Sequence, residues 1–328
     1  MNRIGCLALA AAAALLPAPS VAGGASPVRI VAIDFLTARE GYAFVTGGAS
    51  GGALRMLETQ DAGKSWSDAG RPPTGLPSPF SGLVQVSFAT VSHGVVAISE
   101  GAGACQREWT AYTTSDGGRS WRRAGRIRGQ DGPTSLAAGS EASAWLVNGS
   151  CAGAYAVLFA GARPLWAQAS QFRSAASPAG DSPSAVSLVR SGAKQAFVAV
   201  AYPPWPGRAQ VSRIQGYATS DAGASWRPAG ASRLFGTVTA VALRSPQEEL
   251  AVATLRGDAK ASRPTLYVTR DGGGHWLRAS GITLPADAQA ALIQWVGAKV
   301  ADVAADDEVW RSTDAGKTWR VLARVADE

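Results

Sequence analysis

Aspartate is the residue whose spacing in this chain first suggests chemistry. An eight-residue pattern, Ser/Thr-x-Asp-x-Gly-x-x-Trp, occurs five times, and we call each copy a box. The box aspartates and tryptophans are Asp61 and Trp66, Asp116 and Trp121, Asp221 and Trp226, Asp271 and Trp276, and Asp314 and Trp319. A carboxylate can act as an acid, base or nucleophile, but it can also accept hydrogen bonds from a turn backbone. Because glycine and tryptophan recur at fixed offsets, we interpret the box as a structural turn with a positive-φ glycine and a core tryptophan.

Other reactive side chains are few. Two histidines, His93 and His275, do not suffice for a histidine-rich metal site, and a histidine-based triad is not indicated. We therefore predict no metal and no cofactor. Cys105 and Cys151 stand at matching places in consecutive repeats, which permits a disulfide in an exported protein; two free thiols are the alternative.

The boxes are spaced as an internal repeat. Successive box aspartates are 55, 105, 50 and 43 residues apart, so the double-length interval implies one eroded copy. The segment from Tyr155 to Phe159, followed by Trp166, marks that copy. Each repeat contains short runs of β-branched and aromatic residues separated by Gly and Asp, which predict four strands. We therefore predict an all-β fold, a single β-propeller of six four-stranded blades with seven as the alternative, in which boxes join the third and fourth strands.

The N-terminus and the repeats predict the domain boundaries. Arg3, the apolar run from Ile4 to Leu16 and the small residues ending at Ala22 have the form of a secretory signal, predicted as residues 1–22. The propeller is predicted over 27–328, with repeats at about 27–70, 71–125, 126–170, 171–230, 231–281 and 282–328. We expect a secreted or periplasmic monomer without stable membrane insertion, since the apolar run is too short for a permanent span.

Composition limits the class of partner. The formal net charge is +7, but charged residues make up only 17% of the chain and are spread along it. A nucleic-acid footprint would cluster Lys and Arg on one element, so no nucleic-acid partner is predicted, whereas an anionic partner is favoured.

The box resembles the Asp-box, or BNR, repeat of sialidases, sortilin-type receptor domains, xyloglucan hydrolases and photosystem II stability/assembly-factor propellers. The resemblance covers essentially the whole predicted mature chain, and Phe35 followed by Gly41-Tyr42-Ala43 looks most like the assembly-factor group. It implies a propeller and leaves function open, because the relatives differ in function. The sialidase Arg-Ile-Pro segment has no match, since Arg29-Ile30 is followed by Val31. A sialidase would also need a tyrosine nucleophile with a glutamate partner. Glu100 and Glu108 are the only glutamates in the long loops of the face opposite the boxes, and Tyr112 lies on the strand after Glu108.

Strand order predicts where recognition occurs. Loops between strands one and two, and between three and four, share a face with the boxes, so the remaining loops lie on the opposite face. The candidate binding residues on those loops are Trp205, Arg208, Arg213, Arg256, Lys260, Arg263, Arg107 and Glu108. Trp and Arg dominate binding hot spots, so we predict an aromatic-basic patch for an acidic peptide, glycan or anionic group. A merely solvated surface loop is the alternative.

These observations predict an exported, non-catalytic binding or assembly-factor-like propeller that recognises a protein or glycan through the face opposite the boxes. The alternative is a glycoside hydrolase of the sialidase type. No catalytic residue is assigned, because the acidic pair of a glycosidase is not recognisable.

Overall fold

The computed structural model describes residues 26–48, 52–100, 108–128, 134–138, 144–150, 153–160, 163–167, 183–191, 194–204, 210–255, 263–286 and 292–325. The predicted secretory signal, residues 1–22, lies outside these ranges. All regular secondary structure in the described residues is β, in 24 strands. None of these residues forms a helix that is long and apolar enough to cross a membrane.

The strands form six antiparallel four-stranded sheets, each built from consecutive strands. The first sheet has β1 (Ser26–Phe35), β2 (Gly41–Gly48), β3 (Arg55–Thr59) and β4 (Ser67–Gly70), and the second has β5 (Leu83–Phe88), β6 (Gly94–Glu100), β7 (Glu108–Thr114) and β8 (Arg122–Arg128). The third has β9 (Thr134–Ala138), β10 (Ala144–Ser150), β11 (Gly153–Ala160) and β12 (Arg163–Ala167), and the fourth has β13 (Ala185–Arg190), β14 (Ala196–Tyr202), β15 (Val211–Thr219) and β16 (Arg227–Phe235). The fifth has β17 (Thr237–Leu243), β18 (Glu249–Thr254), β19 (Thr265–Thr269) and β20 (Leu277–Arg278), and the sixth has β21 (Leu292–Trp295), β22 (Ala301–Ala305), β23 (Glu308–Ser312) and β24 (Arg320–Arg324).

The first strands of the sheets form a closed ring. Each of β1, β5, β9, β13, β17 and β21 contacts the next, and β21 contacts β1. The prediction of an all-β propeller is therefore confirmed. The seven-blade alternative is wrong, because the last sheet packs directly on the first and leaves no place for a further blade between them. Side chains are described through most of five sheets, whereas the third is defined by the backbone pairing of β9 to β12.

The hydrophobic cores lie between neighbouring sheets. Side chains alternate across a strand, so a strand enclosed on both sides needs an almost continuous apolar run. In β2, Tyr42 and Phe44 pack toward the second sheet, while Ala43 and Val45 pack toward the sixth. Six such clusters separate the sheets around the ring. This arrangement holds the blades by side-chain packing, as expected for a ring in which no strand is exchanged.

Candidate functional site

The five boxes form the same hydrogen-bonded turn between the third and fourth strands. In the first, the Thr59 hydroxyl donates to Asp61 Oδ1 at 2.9 Å and accepts from the Gly63 amide at 2.7 Å. Asp61 also accepts from Ser65, through the amide at 2.9 Å and the hydroxyl at 2.7 Å. The glycine of every box has a φ between 82° and 89°, a conformation that a side chain resists. The box is thus a turn closed by its own side chains.

Hydrogen bonding keeps the box carboxylates ionised. Bonds from the Ser65 backbone and side chain lower the pKa of Asp61 to about 2. Bonds from the side chains and backbones of Ser120 and Ser225 do the same for Asp116 and Asp221, whose pKa values are also about 2. For Asp314, burial acts to raise the pKa, but hydrogen bonds from Thr318 outweigh it and bring the value to about 2.

The fourth box keeps this geometry with a different partner. His275 occupies the Ser/Thr position, and its amide and Nδ1 lie 2.9 and 2.6 Å from the two oxygens of Asp271. Hydrogen bonds from the His275 backbone and side chain lower the Asp271 pKa further. All five box carboxylates therefore have both oxygens engaged within their own turn.

Each box turn is also bonded to the turn between the first two strands of its blade. The amide of Ala62 donates to the Arg39 carbonyl at 2.8 Å. The same bond joins Gly117 to Ser92, Ala222 to Lys194, Gly272 to Gln247 and Ala315 to Lys299. These paired turns occupy one end of the ring, which we call the box face; the opposite end is the far face.

The box tryptophans differ in their polar contacts. Trp319 is buried, and its Nε1 donates to the Gly316 carbonyl at 3.0 Å. The Nε1 atoms of Trp66, Trp121 and Trp276 are buried without a hydrogen-bond partner in the described structure. These three tryptophans therefore contribute mainly their apolar rings.

A channel of about 680 Å³ runs through the ring and is lined by the inner strands. None of the box aspartates lines it. Arg29 and Asp306 border the channel near the far face, and Asp34 and Arg190 border it toward the box face. Burial lowers the pKa of Arg190.

Polar side chains on the inner strands bond each blade to the next. The amide of Ala138 donates to Ser87 Oγ at 3.0 Å, and that of Leu243 donates to Ser187 Oγ at 2.9 Å. Asp34 holds the corresponding place in the first blade and accepts from the Phe88 amide. Burial raises the Asp34 pKa to about 7, although this hydrogen bond opposes the increase. The inner strands therefore line the channel and also join neighbouring blades through these hydrogen bonds.

A smaller pocket of about 260 Å³ opens on the box face between the first two blades. Glu40, Glu58, Asp116 and Arg119 line it, and Tyr42 donates from its hydroxyl to the Val91 carbonyl at 2.7 Å. Burial is the main cause that raises the Tyr42 pKa, and Glu58 adds to it. Sequence analysis missed this pocket because it is assembled from separate repeats. Within the described residues, no acidic, histidine or cysteine group is arranged to hold a metal ion.

Two further carboxyl groups are buried in the core. Glu249 follows the first-to-second strand turn of the fifth blade, and burial raises its pKa to about 8. Its Oε1 has no hydrogen-bond partner in the described structure. Asp302 is paired with Arg311, and burial raises its pKa against the effect of that partner. Neither group reaches the channel lining.

Most of the candidate binding residues fall outside the described structure. Trp205, Arg208, Arg256, Lys260 and Arg107 lie outside the described residues, as do Cys105 and Cys151 of the predicted disulfide. Glu108 is the first residue of β7, where its backbone pairs with Glu100 and Arg128. Tyr112, which was considered only under the sialidase alternative, packs against the core between the first two blades.

Arg213 and Arg263 are described, and both belong to the far face of the fourth and fifth blades. The Arg213 guanidinium lies 5.3 Å from the centre of the Tyr202 ring. Arg233 pairs with Arg213 across β15 and β16, and Phe235 ends β16 with 55% of its surface exposed. Leu255 follows β18 with 39% exposed, and exposed Arg263 precedes β19. We call Arg213, Arg233, Phe235, Leu255 and Arg263 the far-face patch.

The far-face patch is continuous through the strand pairing. The backbone of Gly236, next to Phe235, approaches Leu255, since a Cβ at this glycine would meet Leu255 Cδ2 at 3.3 Å. Ala253 pairs with Thr265, which brings the following Leu255 toward the preceding Arg263. Exposed apolar side chains beside arginines can bury surface against a partner and hold its anionic groups. Phe235 and Leu255 were not among the predicted binding residues, although an apolar residue at a strand end could have indicated them.

Comparison with known proteins identifies the fold. No protein family matches the chain, and no curated protein does. Among solved structures, a mutant of the Aleuria aurantia lectin in complex with Fucα1-6GlcNAc is similar, with a TM-score of 0.57, 12% identity, and coverage of 92% of this chain and 96% of the lectin. The Penicillium chrysogenum α-L-arabinanase complexed with arabinobiose has a TM-score of 0.56, 13% identity, and coverage of 91% and 98%.

YCF48 bound to D1 peptide is also matched, with a TM-score of 0.44, 14% identity, and coverage of 88% of this chain and 92% of YCF48. The structural neighbours thus include proteins that bind peptides, proteins that bind glycans, and glycoside hydrolases. At these identities the similarity establishes a shared architecture, and the chain is a β-propeller.

Proposed function

We propose that this chain is a non-catalytic binding propeller that captures an anionic protein or glycan through the far face. The observation that carries the proposal is the far-face patch, where exposed Phe235 and Leu255 stand beside three arginines. An aromatic ring supplies buried area, and guanidinium groups supply forked hydrogen bonds to carboxylate, sulfate or phosphate. The proposal includes the predicted neighbours Trp205, Arg208, Arg256 and Lys260, which extend the same loops.

The chemistry of the described carboxyl groups supports a binding role. The box aspartates have both oxygens engaged within the turn, so their protons are not poised near neutral pH. Glu249 and Asp302, whose pKa values are raised, are enclosed in the core, and Asp302 is paired with Arg311. A catalytic acid must contact substrate, and these two do not meet that condition.

The family and location are further parts of the proposal. The five boxes support membership of the Asp-box repeat propellers, and the Gly41-Tyr42-Ala43 strand supports the assembly-factor-like group. The apolar N-terminus supports export to the periplasm or medium. A monomeric state is a further part of the proposal. An assembly-factor-like protein would bind a protein segment, whereas a lectin-like protein would bind a glycan.

The test compares two double variants on immobilised arrays of acidic peptides and of acidic and neutral oligosaccharides. Phe235→Ser with Arg263→Ser removes an apolar and a cationic group from the far-face patch. Val91→Ser with Arg39→Ser removes the same types from the box face, where both residues are exposed. We expect the far-face variant to lose about 2 kcal/mol of binding, roughly thirtyfold, and the control to bind normally. Equal binding by both variants contradicts the proposal.

The alternative, a sialidase-type hydrolase, is tested separately. Hydrolysis of a fluorogenic sialoside that is lost on Glu108→Gln would replace the binding proposal by the enzymatic one. The packing of partly buried Tyr112 against the core between the first two blades supports the expectation of no turnover, since a nucleophile must be free to reach the sugar.

A further inference from the structure

The outer strands of the blades are unusually rich in arginine. The six outer strands, β4, β8, β12, β16, β20 and β24, together contain ten arginines, no lysine and a single acidic residue, Asp68. The arginines are Arg122, Arg123, Arg126, Arg128, Arg163, Arg227, Arg233, Arg278, Arg320 and Arg324. We call this set the arginine rim. It lies around the outside of the propeller on five of the six blades, because the fourth strand of each blade is the outermost and β4 contains no arginine.

The general positive charge of the protein does not explain this enrichment. The inner three strands of the blades together contain five arginines, namely Arg29, Arg55, Arg190, Arg213 and Arg311. They also contain seven acidic residues, namely Asp34, Glu58, Glu100, Glu108, Glu249, Asp302 and Glu308. The inner three strands therefore contain more acidic residues than arginines, whereas the outer strands contain many more arginines than acidic residues.

Three of the rim arginines occur at the same position of the repeat. Arg122, Arg227 and Arg320 each follow a box tryptophan directly and begin the outer strand. Arg163 also begins its outer strand, β12, but precedes Trp166 by three residues, and Arg278 is the second residue of β20. In the first blade this position is Ser67, so a serine is compatible with the fold there.

The rim is accessible to a ligand. All eight rim arginines whose side chains are described are exposed. Of these, Arg324 is bonded to Glu308. The exclusive use of arginine matters, because the planar guanidinium forms two parallel hydrogen bonds to a carboxylate or sulfate, whereas the lysine ammonium is a point charge.

We propose that the arginine rim, which shares only Arg233 with the far-face patch, is a second binding site for a linear acidic polysaccharide. The carboxylate or sulfate groups of the polysaccharide are held by arginines on the outer strands of successive blades. A flexible polymer can follow a circumference, whereas a flat lipid surface meets only part of a ring of outward cations. Single-stranded nucleic acid binds on aromatic stacking platforms. Among the described side chains of the six outer strands, only Phe235 is aromatic and exposed.

The test measures binding of fluorescent heparin and polygalacturonate oligosaccharides, with dextran as the neutral polymer, at about 0.1 M salt. The rim variant carries Arg122→Ser, Arg227→Ser and Arg320→Ser, and so copies the first blade. We expect it to lose about tenfold or more in affinity for both acidic polymers, with a weaker salt dependence. Dextran should not bind either protein.

The matched control carries Arg39→Ser, Lys194→Ser and Lys299→Ser, which removes the same charge from exposed turns of the box face. An equal loss of affinity in this variant overturns the rim proposal, because net charge alone would then explain binding. Absence of binding to both acidic polymers by the unaltered protein also overturns it. A single-stranded oligonucleotide of equal charge that binds more tightly than polygalacturonate would contradict the assignment to an acidic polysaccharide. Thermal unfolding of each variant verifies that it is folded.

Discussion

Arg311 and Asp302 form a bidentate ion pair inside the last blade. Their Nε–Oδ1 and Nη2–Oδ2 distances are 2.6 and 2.7 Å, and the side chains are 4% and 1% exposed. The remaining Nη1 of Arg311 donates to the carbonyl of Ala38 in the first blade, and the guanidinium lies 4.6 Å from the centre of the Phe35 ring. One side chain therefore couples the two ends of the ring where no strand is exchanged.

The first prediction concerns this closure. Arg311→Leu leaves Asp302 as a buried, unpaired acid and removes the donor to Ala38. We expect a loss of about 3–5 kcal/mol in the free energy of unfolding, measured by urea denaturation. An exposed pair provides the control: Arg55→Leu, whose guanidinium is 3.2 Å from Asp68 at the surface, should cost no more than about 1 kcal/mol.

A double variant separates the ion pair from simple packing. In the fifth blade the positions of Asp302 and Arg311 are occupied by Leu250 and Val268, which pair in the same register. Asp302→Leu with Arg311→Val should therefore recover most of the stability lost by Arg311→Leu, because no buried charge is left. A double variant as unstable as the single one would show that the bond to Ala38, rather than the charge balance, holds the closure.

The second prediction concerns pH. The Asp34 pKa is about 7, above its ordinary value of 3.8, so the folded protein binds a proton here that the unfolded chain has lost. Stability should therefore fall as pH rises from about 4 to 7, and the penalty should be complete above pH 7. Asp34→Asn removes the titration and keeps an oxygen for the Phe88 amide. We expect a gain of roughly 2 kcal/mol at pH 8, because Asp34 borders the channel and keeps part of its hydration, and no gain below pH 4.

The control for this pH effect is Asp307→Asn, in the turn between β22 and β23. It removes one carboxyl group from a turn of the far face, so it tests whether a change in net charge alone produces the gain at pH 8. Equal gains by the two variants at pH 8 would attribute the effect to net charge rather than to burial of Asp34.

The turns could be predicted from sequence because their determinants are local. Thr59, Asp61, Gly63 and Trp66 follow one another at intervals of two or three positions, and the hydrogen bonds of Thr59 to Asp61 and Gly63 span two and four positions. The strand before an eroded box was also recognisable, since Tyr155 lies in β11 and Trp166 in β12. Because each repeat contains the residues that form its own turn, the repeat architecture can be predicted from this sequence without a related protein.

The contacts between blades could not be predicted, because no local pattern encodes them. Arg311 meets Ala38 across 273 positions of the chain. The Asp34 bond to Phe88 likewise joins residues 54 apart. Three of the five box tryptophans are followed directly by a rim arginine in the sequence, but the net charge of +7 alone does not reveal where these arginines lie. Only the assignment of outer strands shows that these arginines share one surface.

The third prediction uses differences among the boxes. Ala62, Ala222 and Ala315 have φ values of 72°, 60° and 62°, whereas the same position is Gly117 and Gly272 in the other two boxes. Left-handed backbone is strained for alanine and free for glycine. Each Ala→Gly change at the three positions should therefore stabilise the protein by about 0.5–1 kcal/mol, despite the greater entropy of the unfolded chain. Differential scanning calorimetry should show a rise in Tm.

The reverse substitution is the matched test. Gly272→Ala places a Cβ 3.4 Å from the Pro246 carbonyl, an ordinary contact, so strain in the backbone is the main cost. We expect a loss of about 1 kcal/mol. Destabilisation by both the glycine and the alanine substitutions would mean that φ does not control the stability of this turn.

The fourth prediction separates the two kinds of box tryptophan. Trp319 donates through Nε1 to the Gly316 carbonyl at 3.0 Å, whereas the buried Nε1 of Trp276 has no hydrogen-bond partner in the described structure. Trp319→Phe should therefore cost about 1 kcal/mol more than Trp276→Phe, since only the former breaks a bond and the latter relieves an unpaired donor. Trp319→Ala, which also empties the core between the last two blades, should cost about 3–5 kcal/mol. Chemical denaturation of the three variants measures these differences, and equal costs for the two phenylalanine variants would assign the role of both indoles to ring packing alone.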